Sequence, residues 1–515
     1  MQIIESDATR NWAQEEYGQA ELGDTRRTNR AVRMLDQAMR YRAGKVTQVF
    51  SGAAERKGAY RLLENDEVLP ESLIDAAGGA CARRSAVYPY VLVPVDGSSA
   101  NLADPIGVLG SIGTYTAGAR GIKVISAIAL SPEGEPLGVC HQEQWMRPRK
   151  PKRPPKRRAG GKRQAKAKQH ERSKRLAAEK RARGSKNARA SKKARANAKR
   201  PVHEKETQRW IDTIHATKCR FKLYAPRTRC WFQLDSEGDA WPIHEALLDM
   251  RHHDDWFTVH SSVNRRIKRA DGSSGYLREE VAAQPVIGGY VVDVPARGKR
   301  KARRAHMELR VAKVTLDARD QRTDKQHLLP EHVVQAYEVG TTPAGEEPLD
   351  WTLLTNHPVD TLEDARLVVD GYEKRWRIED VHKTWKSGGC GIESSQLHSG
   401  EAAMKWSTIL FAVAVRVERI KHLARTSPDL PASVELSRHE IRGLIVLKRK
   451  FKKRTETIPD TMPTIAQAAR WIADLGGYTG KSSGGPFGSI TLGRGLSKVV
   501  IGAAILKSLE EERDG

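Results

Sequence analysis

The run Tyr372-Glu-Lys-Arg-Trp-Arg-Ile-Glu379-Asp-Val-His-Lys383-Thr-Trp-Lys386 carries the residues most suited to chemistry. On a continuous helix, Tyr372, Arg375, Glu379, Lys383 and Lys386 fall within an arc of about 80°, and Ile378, Val381 and Trp385 point the other way. The helix would bury one side and present a single carboxylate ringed by a phenol, a guanidinium and two ammonium groups. A solvated face with i, i+4 ion pairs has the same pattern. Two more carboxylates add weight. Asp96 and Asp235 each close an apolar strand, YVLVPV and RCWFQL, where sites on open α/β sheets tend to lie. Either alone is more often a turn or helix cap. Folded together with Glu379, they would offer an oxygen ligand set for two Mg²⁺ ions, with Mn²⁺ as the alternative, and the neighbouring cations would hold flanking phosphates.

The elements that must position these groups are legible in outline. From Asp24, a candidate N-cap, a helix runs toward Gly44, with Arg26, Arg30, Arg33 and Arg40 on one arc and Val32, Leu35 and Met39 opposite. A second helix follows over residues 51–65. YVLVPV, KVISAIALS and PLGVCHQEQW read as a three-strand meander with a turn at SPEGEP. After RCWFQL come a helical stretch, HEALLDM, and a β-rich stretch of short strands over 256–355. One long helix over 361–389 and a mainly helical tail complete the chain.

Charge is concentrated in one segment. The 515 residues hold 89 Lys and Arg against 63 Asp and Glu, a formal charge of +26. Residues 147–200 contain 25 of the bases and only two acids, Glu171 and Glu179, leaving 64 bases against 61 acids elsewhere. Such a block cannot form a core and suits a polyanion. The apolar runs fall short of the roughly 18 residues that span a bilayer, and the amino terminus shows no secretory pattern, so no membrane is expected and a cytoplasmic, nucleoid-associated location is. Five cysteines without a Cys-x-x-Cys motif support neither a disulfide framework nor a zinc ribbon.

The Tyr372 to Lys386 run resembles the Tyr-Arg-Glu-Lys signature of bacterial cut-and-paste DDE transposases, the insertion-sequence group that includes the transposon five enzyme. ELGDTRRTNR at 21–30, GAYRLLEN at 58–65, HQEQWMRP at 141–148, GGYVVDVP at 288–295, PLDWTLLTNHPVDTL at 348–362 and LGGY at 475–478 extend the similarity over nearly the whole chain. The resemblance implies an α/β chain: an RNase H-like mixed-sheet core with a β-rich insertion, flanked by helical N- and C-terminal domains. The expected division is 1–70 for binding transposon-end DNA, 71–400 for catalysis and 401–515 for dimerisation. Within 71–400, a basic insert occupies 147–203 and the β-rich insertion 256–355.

The resemblance further implies that Asp96, Asp235 and Glu379 ligate two metal ions, and that Tyr372, Arg375, Lys383 and Lys386 clamp end phosphates. Trp351 would stack on a flipped base at a DNA hairpin intermediate, and Arg26, Arg27, Arg30, Arg40 and Tyr41 would contact the transposon end. Double-stranded DNA and a second copy of the chain are the implied partners. Departures stand at Gly97 and Ser98, where relatives have Thr-Thr, and at Ser236 and His260, where they have Arg. The segment 147–200 is expected to track target or flanking DNA by counter-ion release. Competing readings are a non-catalytic DNA-binding descendant, or repressor of transposition, and a general nuclease of the same fold.

Overall fold

A computed structural model of the chain describes residues 12–104, 107, 109–113, 118–148, 200–249, 254–296, 301–343, 345–452, 456–459, 461–480 and 485–514. Most of the basic block at 147–203 therefore lies outside the described residues, and so does any test of its expected role.

Among the described residues, eleven strands form one sheet in the order β3-β2-β1-β4-β5-β11-β10-β9-β6-β7, with β8 paired to β9. β1 (Tyr90–Asn101), β2 (Gly121–Leu130) and β3 (Pro136–Trp145) make the expected antiparallel meander. β4 (Arg229–Leu234) and β5 (Trp256–His260) continue from β1 in parallel. This mixed order is the RNase H-like core implied by the resemblance. β5 belongs to that parallel run, although its residues read from the sequence as the start of the insertion.

The insertion extends the same sheet through β6 (Arg266–Lys268), β7 (Ser274–Tyr276), β8 (Gly288–Val294), β9 (Arg303–Arg319), β10 (Gln326–Val339) and β11 (Asp350–Thr355). β9 and β10 are long and pair along 14 consecutive positions, from Gln326↔Arg319 to Val339↔His306, where the sequence suggested only short strands. β11 closes back on β5, so the insertion is hydrogen-bonded to the core.

Helices cover both faces of the core sheet. α1 (Trp12–Tyr17), α2 (Thr25–Arg40), α3 (Val46–Val49) and α4 (Ala53–Leu63) form the amino-terminal region. Asp24 caps α2 as expected, accepting a hydrogen bond from the Arg26 amide, and Val32, Leu35 and Met39 are buried. α5 (Pro70–Ser85), α6 (Thr207–Tyr224) and α7 (Trp241–Leu248) pack on Val91, Val93, Val95, Phe232 and Leu234. α8 (Leu277–Ala282) buries Leu277 and Val281 in a separate core of the insertion.

The opposite face is covered by α9 (Leu362–Glu373) and α10 (Arg377–Lys386), backed by α11 (Gly400–Thr426). α12 (Arg438–Phe451), α13 (Ile465–Leu475) and α14 (Ser489–Asp514) complete the helical tail. α14 is long and apolar enough by length and composition to cross a membrane, but it buries Leu492, Leu496 and Val499 completely against the rest of the protein.

Candidate active site

Strand periodicity decides which aspartate side chains meet. Side chains alternate along β1, so with Val91, Val93 and Val95 in one core, Asp96 shares the face of Leu92. On β4 the same alternation puts Asp235 on the face of Trp231. β1 and β4 run parallel and pair as far as Val95↔Leu234, so Asp96 and Asp235 each follow that last pair, on the face that α9 and α10 cover.

Asp96 is not a strand-end residue, as its sequence suggested. β1 continues to Asn101, because β2 goes on pairing with it through Asn101↔Gly121. Only the parallel partner stops. β4 ends at Leu234, so Asp96 is paired on one side and open on the side where Asp235 turns away. The turn after Asp235 is tight: the Gly238 amide donates to the Asp235 carbonyl (3.0 Å) and the Glu237 amide to Asp235 Oδ1 (2.9 Å). A Cβ on Gly238 would stand 2.7 Å from Leu234 Cδ2, which restricts this position to glycine.

The expected single long helix is broken. A 3₁₀ turn at Lys374–Trp376 separates α9 from α10 and adds rotation relative to a continuous α-helix, so the 80° arc does not hold across the break. Arg375 lies in this turn and is only 4% exposed. Its NH2 donates to Glu379 Oε1 at 3.0 Å, and its Nε and NH1 are buried with no hydrogen-bond partner. On α10, Ile378, Val381 and Trp385 are fully buried, as the periodicity indicated, and Trp385 meets Phe411 of α11 edge-on at 5.8 Å. Close approach of α9 depends on Gly371, where a Cβ would come within 3.3 Å of Leu92 Cδ2 and Gln233 Nε2.

The electrostatics show that the three acids share one neighbourhood. Burial and then the charge of Asp96 raise the Asp235 carboxyl above the usual range. Burial raises Glu379 as well; Arg375 pulls it down, and Asp96 and Asp235 push it up. A fourth carboxylate that sequence reasoning passed over, Glu237, is raised by burial, then Asp235, then Asp96. Its signal was its place two residues after Asp235. Burial works against the Arg375 charge, but Tyr372, Asp96, Asp235 and Glu379 together raise its pKa.

The remaining site candidates divide into two places. Tyr372 is buried beside Arg375, and burial pushes its phenol up to about 12. Its ring stands 6.2 Å from Trp351, edge-on, and 5.8 Å from His260. Lys383 is exposed. Lys386 is half-buried, with its pKa lowered by burial against the opposing charges of Glu393 and Asp96. A residue the sequence reading missed, His382, is 5% exposed and places Nδ1 3.4 Å from Asp96 Oδ2. Its only local signal was its position one turn after Glu379.

Arg26, Arg27, Arg30, Arg40 and Tyr41 belong to α2 and its end. The cationic face is partly neutralised there: Arg26 pairs with Asp24, Arg27 with Glu67, Arg30 with Glu55 and Arg40 with Asp36, while Tyr41 is exposed.

The acids supply only oxygen donors, the chemistry that Mg²⁺ and Mn²⁺ prefer. Among the described residues, no three acidic, histidine or cysteine side chains stand in a metal-holding arrangement. Glu379 is held by Arg375, and Asp96 lies against His382. The crowding of carboxylates that raises Asp235 and Glu379 is what a divalent cation would relieve, so the donor set fits such an ion once those side chains turn toward it.

Comparison with protein-family models gives three matches in chain order. Residues 9–68 match a transposase DNA-binding model, residues 145–416 a transposase DDE domain, and residues 412–511 the dimerisation domain of the transposase Tn5. The DDE match includes Asp235 and Glu379 and begins after Asp96. It takes in more than half of the chain, which belongs to the DDE transposase family, with the DNA-binding match before the DDE domain and the dimerisation match after it.

Proposed function

We propose that the chain is a Mg²⁺-dependent, cut-and-paste DNA transposase that hydrolyses phosphodiesters at transposon ends and joins the freed ends to target DNA. The observation that carries this reading is that Asp96 and Asp235 directly follow the last pair of two adjacent parallel strands, beneath the helix that bears Glu379. Mn²⁺ is the alternative ion.

Asp96, Asp235 and Glu379 would hold two divalent ions. When bound, such ions supply activation of the attacking oxygen and charge stabilisation at the leaving oxygen. The chain's own residues do the rest. Arg375, now paired with Glu379 and retaining two unpartnered nitrogens, is placed to donate to a phosphate oxygen when Glu379 turns away. Tyr372, Lys383 and Lys386 hold the flanking backbone, Lys386 from a half-buried position where its attraction to a phosphate is less screened, although the same burial lowers its pKa.

Trp351, edge-on to Tyr372 at the rim of this group, suits a base turned out of the stack during hairpin formation. Arg26, Arg27, Arg30, Arg40 and Tyr41 would bind the transposon end, exchanging their present carboxylate partners for phosphates. The dimerisation region would bring two ends together in a synaptic homodimer. The protein would act on the nucleoid in the cytoplasm.

The test is cleavage of a donor plasmid that carries the gene with its flanking DNA, in Mg²⁺, by the wild type and by Glu379→Ala. Excision by the wild type and its loss in the variant are expected. A non-catalytic DNA-binding descendant or repressor cuts in neither case, and a general nuclease cuts without preference for the ends.

A further inference from the structure

Behind Asp235 lies a second group of charges that the chemistry above does not use. Asp239, four residues on, is almost completely buried; its side chain is 1% exposed. Its Oδ1 accepts from Arg265 Nε at 2.7 Å and meets His244 Nε2 at 3.1 Å; its Oδ2 accepts from Ser261 Oγ at 2.8 Å. Arg265 also donates to the Asp239 carbonyl. On the other side of the ring, His244 Nδ1 stands 2.7 Å from Glu331 Oε1. Neither His244 nor Glu331 has any exposed side-chain surface.

Both ring nitrogens face a carboxylate oxygen, an arrangement that suits an imidazolium donating from both sides. Burial alone would push its pKa down, but Glu331 and Asp239 together raise it to about 9. Such a group is a poor way to add stability, because desolvating four charges costs about as much as their attraction returns. What it supplies is direction. The bonds reach the Asp235 turn from three places at once: α7, the segment after β5 that carries Ser261 and Arg265, and β10 of the insertion.

We propose that Asp239, His244, Glu331, Arg265 and Ser261 form a positioning device for Asp235, clamping the far end of its turn so that the carboxylate is held toward Asp96. The near end is set by the Gly238 amide on the Asp235 carbonyl and by the Glu237 amide on Oδ1. With the far end clamped through Asp239, the five-residue turn has little freedom left. The device also gives the β-rich insertion a part in the chemistry, since Glu331 belongs to β10 and reaches the turn only through His244. The inference rests on the reading that Asp235 ligates a divalent ion.

The test is Mn²⁺ binding to the full chain, followed by electron paramagnetic resonance of the free ion, beside thermal melting. Wild type, Asp235→Asn, His244→Leu and the nearly isosteric Glu331→Gln would be compared. Loss of an outer partner of a metal ligand typically weakens metal affinity about 10- to 100-fold, and a shift of about 10-fold is expected for both network variants. If Asp235→Asn binds Mn²⁺ as the wild type does, the ligand reading fails and this inference with it. If Asp235→Asn loses binding while a folded Glu331→Gln keeps wild-type affinity, with only a lower melting temperature, the positioning role alone is overturned. Should His244→Leu fail to fold, Glu331→Gln decides.

Discussion

Two clusters of charge flank the Asp235 turn, and they are built to opposite standards. On the Asp239 side, one imidazolium and one guanidinium meet two carboxylates, and of the buried side-chain atoms of the group Glu331 Oε2 alone lacks a partner. On the Asp96 side, Asp96, Asp235 and Glu379 gather round one guanidinium, with Glu237 beside the two aspartates; Asp235, Glu237 and Glu379 are all raised, and two nitrogens of Arg375 are buried without partners. The difference is the one expected between a scaffold and the proposed site. A satisfied buried network specifies geometry, while an unsatisfied one marks the place where a further ligand completes the charge balance.

The largest expected effect would break the comparison outright. Glu379→Ala should lower Mg²⁺-dependent plasmid cleavage by about three orders of magnitude or more, because on the proposed function a ligand to the reacting centre is gone. Retained cleavage would mean that the crowded cluster is not where the chemistry happens.

Stability offers the next contrast. Asp239→Ala leaves a buried imidazolium and guanidinium without their shared partner, and should cost about 3 kcal/mol in urea denaturation without Mg²⁺ and at least as much with it, because a loosened Asp235 turn binds the ion less tightly. Arg375→Met removes the buried guanidinium from the crowded side. It should cost about 2 kcal/mol, discounted because the Glu379 side chain is 39% exposed, and the loss should shrink when Mg²⁺ is added. Equal responses to Mg²⁺ in the two variants would erase the distinction.

The pH dependence sharpens it further. The folded pKa of His244 is raised to about 9, so its contribution is fully present below its unfolded value of about 6.5 and is lost as pH rises through about 9. The melting-temperature gap between wild type and His244→Leu should therefore narrow between pH 7 and pH 10.

The smallest effect has the opposite sign. Asp235 is also raised, so the ionised carboxylate is disfavoured in the folded, metal-free protein, and the stability it lends at low pH is lost as pH climbs through its folded value. Asp235→Asn should accordingly raise the metal-free melting temperature at pH 7 by about 1–2 °C and have no such effect near pH 3. A lower melting temperature at pH 7 would show that Asp235 is already satisfied.

Much of the frame around the candidate site was legible in the chain, and the misses have local causes. The meander, the α2 cap and the buried stripe of α10 follow from alternation, capping chemistry and helical period, which are properties of neighbouring residues. Asp96 read as a strand end because the apolar run stops there, yet β2 holds the backbone extended to Asn101 whatever the side chains. The helix carrying Glu379 read as unbroken because no Pro or Gly interrupts residues 372–386. The 3₁₀ turn accompanies burial of Arg375 among distant acids. His382 and the His244 network gave no strong signal, since their partners lie 286 and 87 residues away in the cases of Asp96 and Glu331.

The amino-acid sequence by itself determined the family, the parts list and the order of the three regions, because motif residues and periodic burial are written in short stretches of chain. Only tertiary structure decided which charges are answered and which are left waiting. That balance depends on distances between side chains brought together from remote strands and helices, and Coulomb energies follow separation in space, not spacing along the backbone.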